Sequence, residues 1–330
     1  MPISSGGSRD PTPEQERLAV TPSPTAQLFK TADAGSYDAV VVPFERFTDR
    51  FSQPLAERIV RLAEPAPLGR VLDVGCGTGV VALAVARTLT SPGHVLGVDM
   101  SEPMLRRAAA KAESGGLGDR TQFREMDAEA LDLPRSTFDA VVSLFALMHF
   151  PHPEAALAEM GRVLRPGGRM VVGFGSGPAL GSVSGVRRAF GRALDALCGW
   201  RGRYLSAPDY LNGLVRKYLP PSDAAEETDL AQSRRGRPKV VVRMVRTAGF
   251  RRVQTHWVGF QPSLDSPEEF WDLQRTYSSL ARKRLAAARP EQVRALREEF
   301  FATCRRVLAR GGRLAYPYGA FIVVAEKPGR

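Results

Sequence analysis

Apolar residues along this 330-residue chain follow two patterns. Short, nearly uninterrupted apolar runs, such as 138–144 and 319–325, have the length and composition of buried strands. Between Ala34 and Ala63 the spacing is helical instead, and it is formed by Tyr37, Phe44, Phe47, Phe51, Leu55, Ile59 and Leu62. Strand-like runs that alternate with helical stretches predict an α/β fold.

One apolar run leads directly into a glycine-rich turn. The strand-like segment 71–74 carries a single acid, Asp73, and is followed by glycines at 75, 77 and 79 and by the helix-like segment 80–87. Glycine lets a backbone pass close to a ligand because it has no Cβ. In open α/β sheets such a turn, placed after the first strand, binds nucleotide-like cofactors. The pattern therefore predicts a cofactor site at this turn.

The residues around the turn narrow the choice of cofactor. A phosphate-binding P-loop would continue with Lys and Ser or Thr, but Gly79 is followed by Val80. Val80 also stands where a dinucleotide-binding turn has its last glycine. Asp73 suits a ligand that carries an ammonium group better than a pyrophosphate. Asp99, twenty positions after Gly79, is compatible by spacing alone with a dinucleotide.

Five segments in order resemble the class I S-adenosylmethionine (SAM)-dependent methyltransferases, and the resemblance covers about residues 35–175. The segments are Val71–Gly79, Gly97–Leu105, Phe123–Leu131, Phe138–Leu144 and Val163–Val172. The chain is most similar to the ubiquinone- and menaquinone-methyltransferase-like branch, which acts on small molecules. The resemblance implies a Rossmann-like sheet whose last strand is antiparallel, SAM as cofactor, and methyl transfer as activity.

The resemblance also implies which residues contact SAM, mostly at the ends of the first four strands. Asp73 would accept the ammonium group, Asp99 both ribose hydroxyls, and Asp127 the adenine amine. The remaining implied contacts are the loop residues Gly75, Cys76, Gly77 and Thr78, Met100 on the adenine face, the Ala128 backbone, Ser143 beside the methionine moiety, and Tyr37 near the carboxylate.

The chain is longer than this core requires, and we expect the excess to form insertions. Ser266-Pro267 followed by two glutamates is typical of a helix start. The predicted organisation is a disordered lead-in at 1–25, the SAM-binding core with its helical cover at 26–175, a lid insertion at 176–240, a sixth-strand region at 241–261, a helical lid insertion at 262–312, and the final strand at 313–330.

Two residues near the predicted site have alternative interpretations. His149, after the fourth strand, is a candidate general base, because imidazole titrates near neutral pH; alternatively it caps the next helix. Cys76 is either a small residue required for packing or a reactive thiol. The three cysteines Cys76, Cys198 and Cys304 are too far apart for a disulfide framework or a zinc site, and no metal is expected.

The positive charge lies outside the predicted core. Residues 176–330 hold 28 Lys and Arg against 14 Asp and Glu, whereas residues 1–175 hold 18 against 21. This field could attract RNA or an acidic carrier protein. However, the densest basic run, 234–239, lacks interleaved aromatic residues for base stacking.

The expected function is SAM-dependent methyl transfer, by in-line displacement, to a small aromatic, quinone-like or secondary metabolite. RNA, a carrier-tethered substrate, or a SAM-binding role without methyl transfer are the alternatives. The sequence has no apolar stretch of the ~20 residues that a membrane span needs. It also has no signal-like N-terminal segment, so we expect a cytoplasmic protein; a homodimer is an open alternative.

Overall fold

The computed structural model describes residues 24–175, 204–221, 237–260 and 262–329. Its helices are α1 (Pro24–Asp38), α2 (Val41–Phe47), α3 (Gln53–Ala63), α4 (Val80–Ala86), α5 (Glu102–Ser114), α6 (Pro153–Val163), α7 (Ala207–Tyr218), α8 (Pro238–Thr247), α9 (Pro267–Tyr277), α10 (Ser279–Ala287) and α11 (Pro290–Ala309). Its strands are β1 (Arg70–Val74), β2 (His94–Asp99), β3 (Thr121–Glu125), β4 (Phe138–Leu144), β5 (Leu164–Gly175), β6 (Tyr204–Ser206), β7 (Arg251–Phe260), β8 (Ser263–Leu264), β9 (Arg313–Ala315) and β10 (Tyr318–Glu326).

The main sheet has the strand order β3-β2-β1-β4-β5-β10-β7. Strands β1 to β5 pair in parallel, and β10 is antiparallel to both of its neighbours, β5 and β7. The predicted Rossmann-like sheet with an antiparallel last strand is therefore confirmed. The order reverses between β1 and β4, which places the exit of β1 at the switch point where such sheets bind ligands.

Both faces of the sheet are buried at its central strands, whereas the edge strands β3 and β7 are largely exposed or half-buried. Along β10, Ile322 and Val324 pack on one side while Phe321 and Val323 pack on the other. Helices α3 and α4 cover the first face and α6 and α8 cover the second. Burial on both faces explains why central strands such as β4 and β10 are nearly continuous apolar runs in the sequence rather than alternating ones.

A second part of the chain folds beside the sheet. Residues 262–315, here called the C-terminal insertion, contain β8, α9, α10, α11 and β9, and β9 also pairs with β6. Ser266 begins α9 as the sequence indicates, because its hydroxyl accepts a hydrogen bond from the Glu269 amide at 3.1 Å. Helix α7 packs against α9, α10 and α11.

Helix α1 begins earlier than the helical spacing of apolar residues suggests. It starts at Pro24, ten residues before Ala34, and its buried positions include the charged residues Lys30 and Asp33. Hydrophobic periodicity does not detect a helix buried through ion pairs. The predicted lead-in otherwise lies outside the described residues, as do residues 176–203 and 222–236 of the first insertion, including half of its basic run.

Candidate functional site

The turn between β1 and α4 has a backbone that requires glycine. Gly75, Gly77 and Gly79 have φ angles of +69°, +51° and +82°. Gly75 and Gly77 are partly exposed, while the residues between and after them, Cys76 and Thr78, are buried. The turn therefore presents its glycine backbone to the carboxyl edge of the sheet and its side chains to the core.

Asp99, at the end of β2, supports this turn. Its Oδ2 accepts a hydrogen bond from the Gly77 amide at 2.8 Å, and its Oδ1 accepts one from the Ser101 amide at 3.0 Å. Burial raises the pKa of Asp99, although the amides of Ser101 and Gly77 oppose that effect. Asp99 and the following Met100 remain partly exposed, as residues that contact a ligand require.

Asp73 is buried directly beneath the turn. Its Oδ2 accepts a hydrogen bond from the Ala82 amide at 2.9 Å, but its Oδ1 has no partner among the described residues. Burial, with a smaller effect of Asp99, raises the pKa of this carboxyl to about 7. An unsatisfied buried carboxylate oxygen is costly unless a ligand supplies a donor. The ammonium group of SAM fits this requirement.

Asp127 is held by a residue that the sequence did not single out. Lys30 of α1 places its Nζ 2.6 Å from Asp127 Oδ2 and 2.7 Å from Glu129 Oε2. The Glu129 amide donates to Asp127 Oδ1 at 2.9 Å, and Ala128 between them is buried. Helix α1 is thus fastened to the segment implied to bind adenine.

His149 and Tyr37 lie together. The Tyr37 hydroxyl is 3.2 Å from His149 Nε2, and His149 Nδ1 is 2.9 Å from Oδ2 of Asp33. Lys283 of α10 places its Nζ 2.8 Å from Asp33 Oδ1, and the guanidinium of Arg282 lies 4.0 Å from the centre of the Tyr37 ring. The alternative in which His149 caps the next helix is not observed, because His152 is the residue that precedes α6.

Ser143 and Cys76 face inward. The Ser143 hydroxyl is fully buried and donates to the Val74 carbonyl at 2.7 Å, so it stabilises the β1–β4 pair. Cys76 is buried, and burial raises the pKa of its thiol well above the usual value. The structure therefore favours the packing interpretation of Cys76 over the reactive thiol.

Four functional candidates were not singled out in the sequence: Lys30, Asp33, Arg282 and Lys283. Lys30, Asp33 and Tyr37 are spaced three and four residues apart, which places them on one face of a helix. That spacing was the available signal. No sequence signal connects Arg282 and Lys283 with Tyr37, because α10 comes close to α1 only in the folded chain.

Aromatic rings form a continuous wall beside the glycine turn. Tyr37 contacts Phe44 edge-on with centroids 5.6 Å apart, and Phe44 lies 5.6 Å from Tyr277. Tyr277 continues to Tyr318 at 5.8 Å, which contacts Phe145 at 5.5 Å. A Cβ added at position 77 would meet Phe44 at 3.6 Å, so the wall begins at the turn itself.

Two further observations concern the described part of the chain. None of its helices combines the length and the apolar character that crossing a membrane requires. Within the same residues, the His, Cys, Asp and Glu side chains form no group of three or more that could hold a metal ion.

Comparison with known proteins agrees with this geometry. A family profile described as "Methyltransferase domain" matches residues 71–168. The chain is 41% identical over 167 residues to a demethylmenaquinone methyltransferase of Thermus thermophilus, covering 50% of this chain and 74% of that protein. It is 39% identical over 137 residues to the nocamycin O-methyltransferase of Saccharothrix syringae, covering 42% of this chain but only 46% of that protein.

The fold has a counterpart among solved structures. The YcgJ protein of Bacillus subtilis superposes with a TM-score of 0.51 at 20% identity, covering 83% of this chain and 98% of that one. The geometry of the site fits SAM. The glycine turn lets the cofactor approach the backbone, Asp73 Oδ1 can accept from its ammonium group, and the partly exposed Asp99 can accept from its ribose. With the extent of the match to the Thermus protein, these features show that this chain belongs to the class I SAM-dependent methyltransferases.

Proposed function

We propose that this protein transfers a methyl group from SAM to a small aromatic or quinone-like acceptor. The observation that carries the proposal is the aromatic wall, which starts at the cofactor turn beside Phe44 and extends through Tyr277 to Tyr318. Aromatic side chains suit flat ring acceptors, since stacked and edge-to-face contacts add to the burial of area. The names of the Thermus and Saccharothrix relatives also indicate small-molecule acceptors.

Bound SAM supplies an electrophilic methyl group on a sulfonium. Asp73, Asp99 and Asp127 would hold the cofactor, and the aromatic wall would orient the acceptor. Positioning of two reactants in this way can be worth ~7–11 kcal/mol of the barrier. The lid role of the C-terminal insertion belongs to the same proposal, because the insertion contributes Tyr277 to the wall.

The alternative of an RNA or carrier-protein substrate rests on the basic C-terminal half. Within the C-terminal insertion, however, several cations serve internal contacts. Arg282 and Arg284 are buried, Lys283 pairs with Asp33, and Arg297 lies 5.5 Å from the centre of the Trp271 ring. These contacts account for part of the basic excess without a polyanionic partner and favour the small acceptor.

Calorimetric titration of SAM tests the cofactor half of this proposal. Asp99→Ala removes the support of the turn and should abolish binding, whereas Asp119→Ala, at an exposed acid, should leave the affinity unchanged. Mass spectrometry with a panel of phenols, hydroxyquinones and amines then tests transfer. Binding without transfer to any acceptor, or failure of the unaltered protein to bind SAM, would overturn the proposal.

A further inference from the structure

We propose that Tyr37, His149 and Asp33 form a proton relay that deprotonates a phenolic or enolic hydroxyl of the acceptor, so that oxygen is the atom methylated. This inference rests on the proposed function and adds to it the chemical class of the acceptor. It assigns a task to His149 and Asp33, which none of the implied cofactor contacts includes, and it gives Tyr37 a task beyond its implied contact with the SAM carboxylate.

The position of His149 comes from the end of β4. A 3-10 turn, Leu147–His149, follows the strand, and Phe145 before it has a φ of +63°. A positive φ in a phenylalanine is strained, and such strain is concentrated at functional sites. The turn directs His149 to α1, where Nδ1 meets Asp33 at 2.9 Å and Nε2 meets the Tyr37 hydroxyl at 3.2 Å.

The charge of Asp33 fixes the direction of the relay. Burial opposes ionisation of Asp33, but His149 and Lys283 hold its pKa below the usual value, so it is a carboxylate and accepts only. Nδ1 of His149 therefore carries a hydrogen and donates to Asp33. In the neutral imidazole Nε2 is then the acceptor, and the Tyr37 hydroxyl donates to it.

Tyr37 is suited to pass a proton on. Burial raises the pKa of its hydroxyl, and the nearby charge of Arg282 opposes that effect. Tyr37 thus remains protonated at rest and donates to His149. Its ring is partly exposed and contacts Phe44 edge-on, so an acceptor stacked along the aromatic wall can bring a hydroxyl to the Tyr37 oxygen.

The step balances as follows. The acceptor hydroxyl gives its proton to the Tyr37 oxygen as the Tyr37 proton moves to His149 Nε2, and the resulting imidazolium is stabilised by Asp33. The acceptor oxygen forms the new bond to the methyl carbon, whose bond to sulfur breaks with the electron pair remaining on sulfur. In the described part of the chain, the titratable groups that face His149 are Asp33 and Tyr37 of α1 and Asp99 at the end of β2. Lys283 of α10 acts through Asp33.

Two acceptors of similar shape but different acidity test the relay. 1-Naphthol is a weak acid like tyrosine, which titrates near pH 10, whereas 2-hydroxy-1,4-naphthoquinone is already ionised at neutral pH. His149→Gln should lower kcat on 1-naphthol by ~10²–10³ with little change in KM, because a general base is lost. It should leave methylation of the ionised quinone nearly unchanged. Asp33→Asn and Tyr37→Phe should show the same selectivity.

His152→Gln is the matched control, since His152 pairs with Glu129 outside the relay; it should affect neither acceptor. Nitrogen-15 NMR gives a readout independent of turnover: the Nδ1-protonated tautomer of His149 should be present in the unaltered protein and lost in Asp33→Asn. An equal loss of activity on both acceptors would mean a structural role and would overturn the relay.

The failure of the relay and that of the proposed function are distinguishable. Methylation of an amine or a ring carbon, with neither naphthalene derivative methylated at oxygen, overturns the relay but leaves the proposed function standing. No transfer to any acceptor of the panel overturns both.

Discussion

The Nζ atom of Lys30 lies 2.6 Å from Oδ2 of Asp127, so a lysine of α1 pairs with the carboxylate implied to receive the adenine amine. Lys30 also pairs with Glu129, and the Lys30 side chain is only 4% exposed. Removing one member of a buried ion pair leaves the other charges uncompensated, which typically costs ~3–5 kcal/mol.

Lys30→Met should therefore lower the free energy of unfolding by about that amount in urea denaturation. Lys111→Met is the control, because Lys111 pairs with the half-exposed Asp49 at 2.5 Å. Surface pairs of that kind contribute ~0–1 kcal/mol. Similar losses in the two variants would show that the Lys30 contacts do not fasten α1 to the core.

Gly75 should tolerate alanine much less well than Gly167. Both have positive φ angles, +69° and +77°, which cost an alanine roughly 1–2 kcal/mol. A Cβ at position 75 would also lie 2.2 Å from the Cβ of Ala146, whereas one at position 167 has nothing within 4 Å. We expect Gly75→Ala to lose SAM binding and clearly more thermal stability than Gly167→Ala. Equal shifts in Tm for the two variants would contradict the close contact between position 75 and Ala146.

SAM binding should depend on pH through Asp73. Burial raises the pKa of this carboxyl to about 7, so below that pH it is protonated in the free protein and cannot accept from an ammonium group as a carboxylate. The affinity should fall about tenfold per pH unit below 7. It should be highest just above pH 7, since the ammonium group of SAM itself loses its proton at about pH 8. Calorimetry at about pH 6 in two buffers of different ionisation enthalpy should detect release of a proton on binding. Asp73→Asn should remove the fall below pH 7; a sloping profile in that range in the variant would assign the effect to another group.

The raised pKa of Asp73 affects folding in the opposite direction: SAM binding should improve as the pH rises to about 7, whereas the stability of the protein without SAM should fall. Because the folded pKa of Asp73 exceeds its usual value of 3.8, the folded protein binds the proton more tightly than the unfolded chain does. This group therefore contributes stability below about pH 4 that is lost as pH rises to about 7. Asp73→Asn should flatten that part of the stability profile in the protein without SAM, as urea denaturation across the range would show.

The thiols of Cys76 and Cys304 should be inert in the folded protein. Both are buried, and burial raises the pKa of Cys304 to about 12 and that of Cys76 well above its usual value. In a Cys198→Ser variant, a thiol reagent should label neither cysteine before denaturation and both after it. Rapid labelling of Cys76 in the native state would restore the reactive-thiol interpretation.

The sequence predicts the parts of the site that local chemistry encodes. Asp73 and the glycines at 75, 77 and 79 are recognisable because a strand exit, an acid and a fixed glycine spacing occur within nine residues. The sheet and its antiparallel last strand follow from the resemblance and are confirmed. The contacts implied for Met100, Asp127 and Tyr37 stay predictions, since they concern a ligand.

The other residues of the site could not be predicted, because their charged side chains come into contact only in the folded chain. Hydrophobic spacing does not reveal Lys30 and Asp33, because they are buried through ionic partners far away in sequence. Arg282 and Lys283 lie in the short basic run 282–284, which the sequence does not distinguish from a solvent-exposed helix face. Only the approach of α10 to α1 shows that they surround Tyr37 and Asp33.

The pairing of β7 with β10 has a consequence for how relatives of this chain could diverge. Phe260 lies opposite Tyr318, so residues 262–317 leave and re-enter the sheet at adjacent positions. A segment joined in this way can be exchanged for another without altering the strands that carry it. Because Arg282 and Lys283 bond to Ser36 and Asp33, α1 would have to be exchanged with it. Among relatives, a change of acceptor preference would then require α1 and the C-terminal insertion to change together, although they are far apart in sequence. The cofactor turn, which lies between them in the chain, would stay the same.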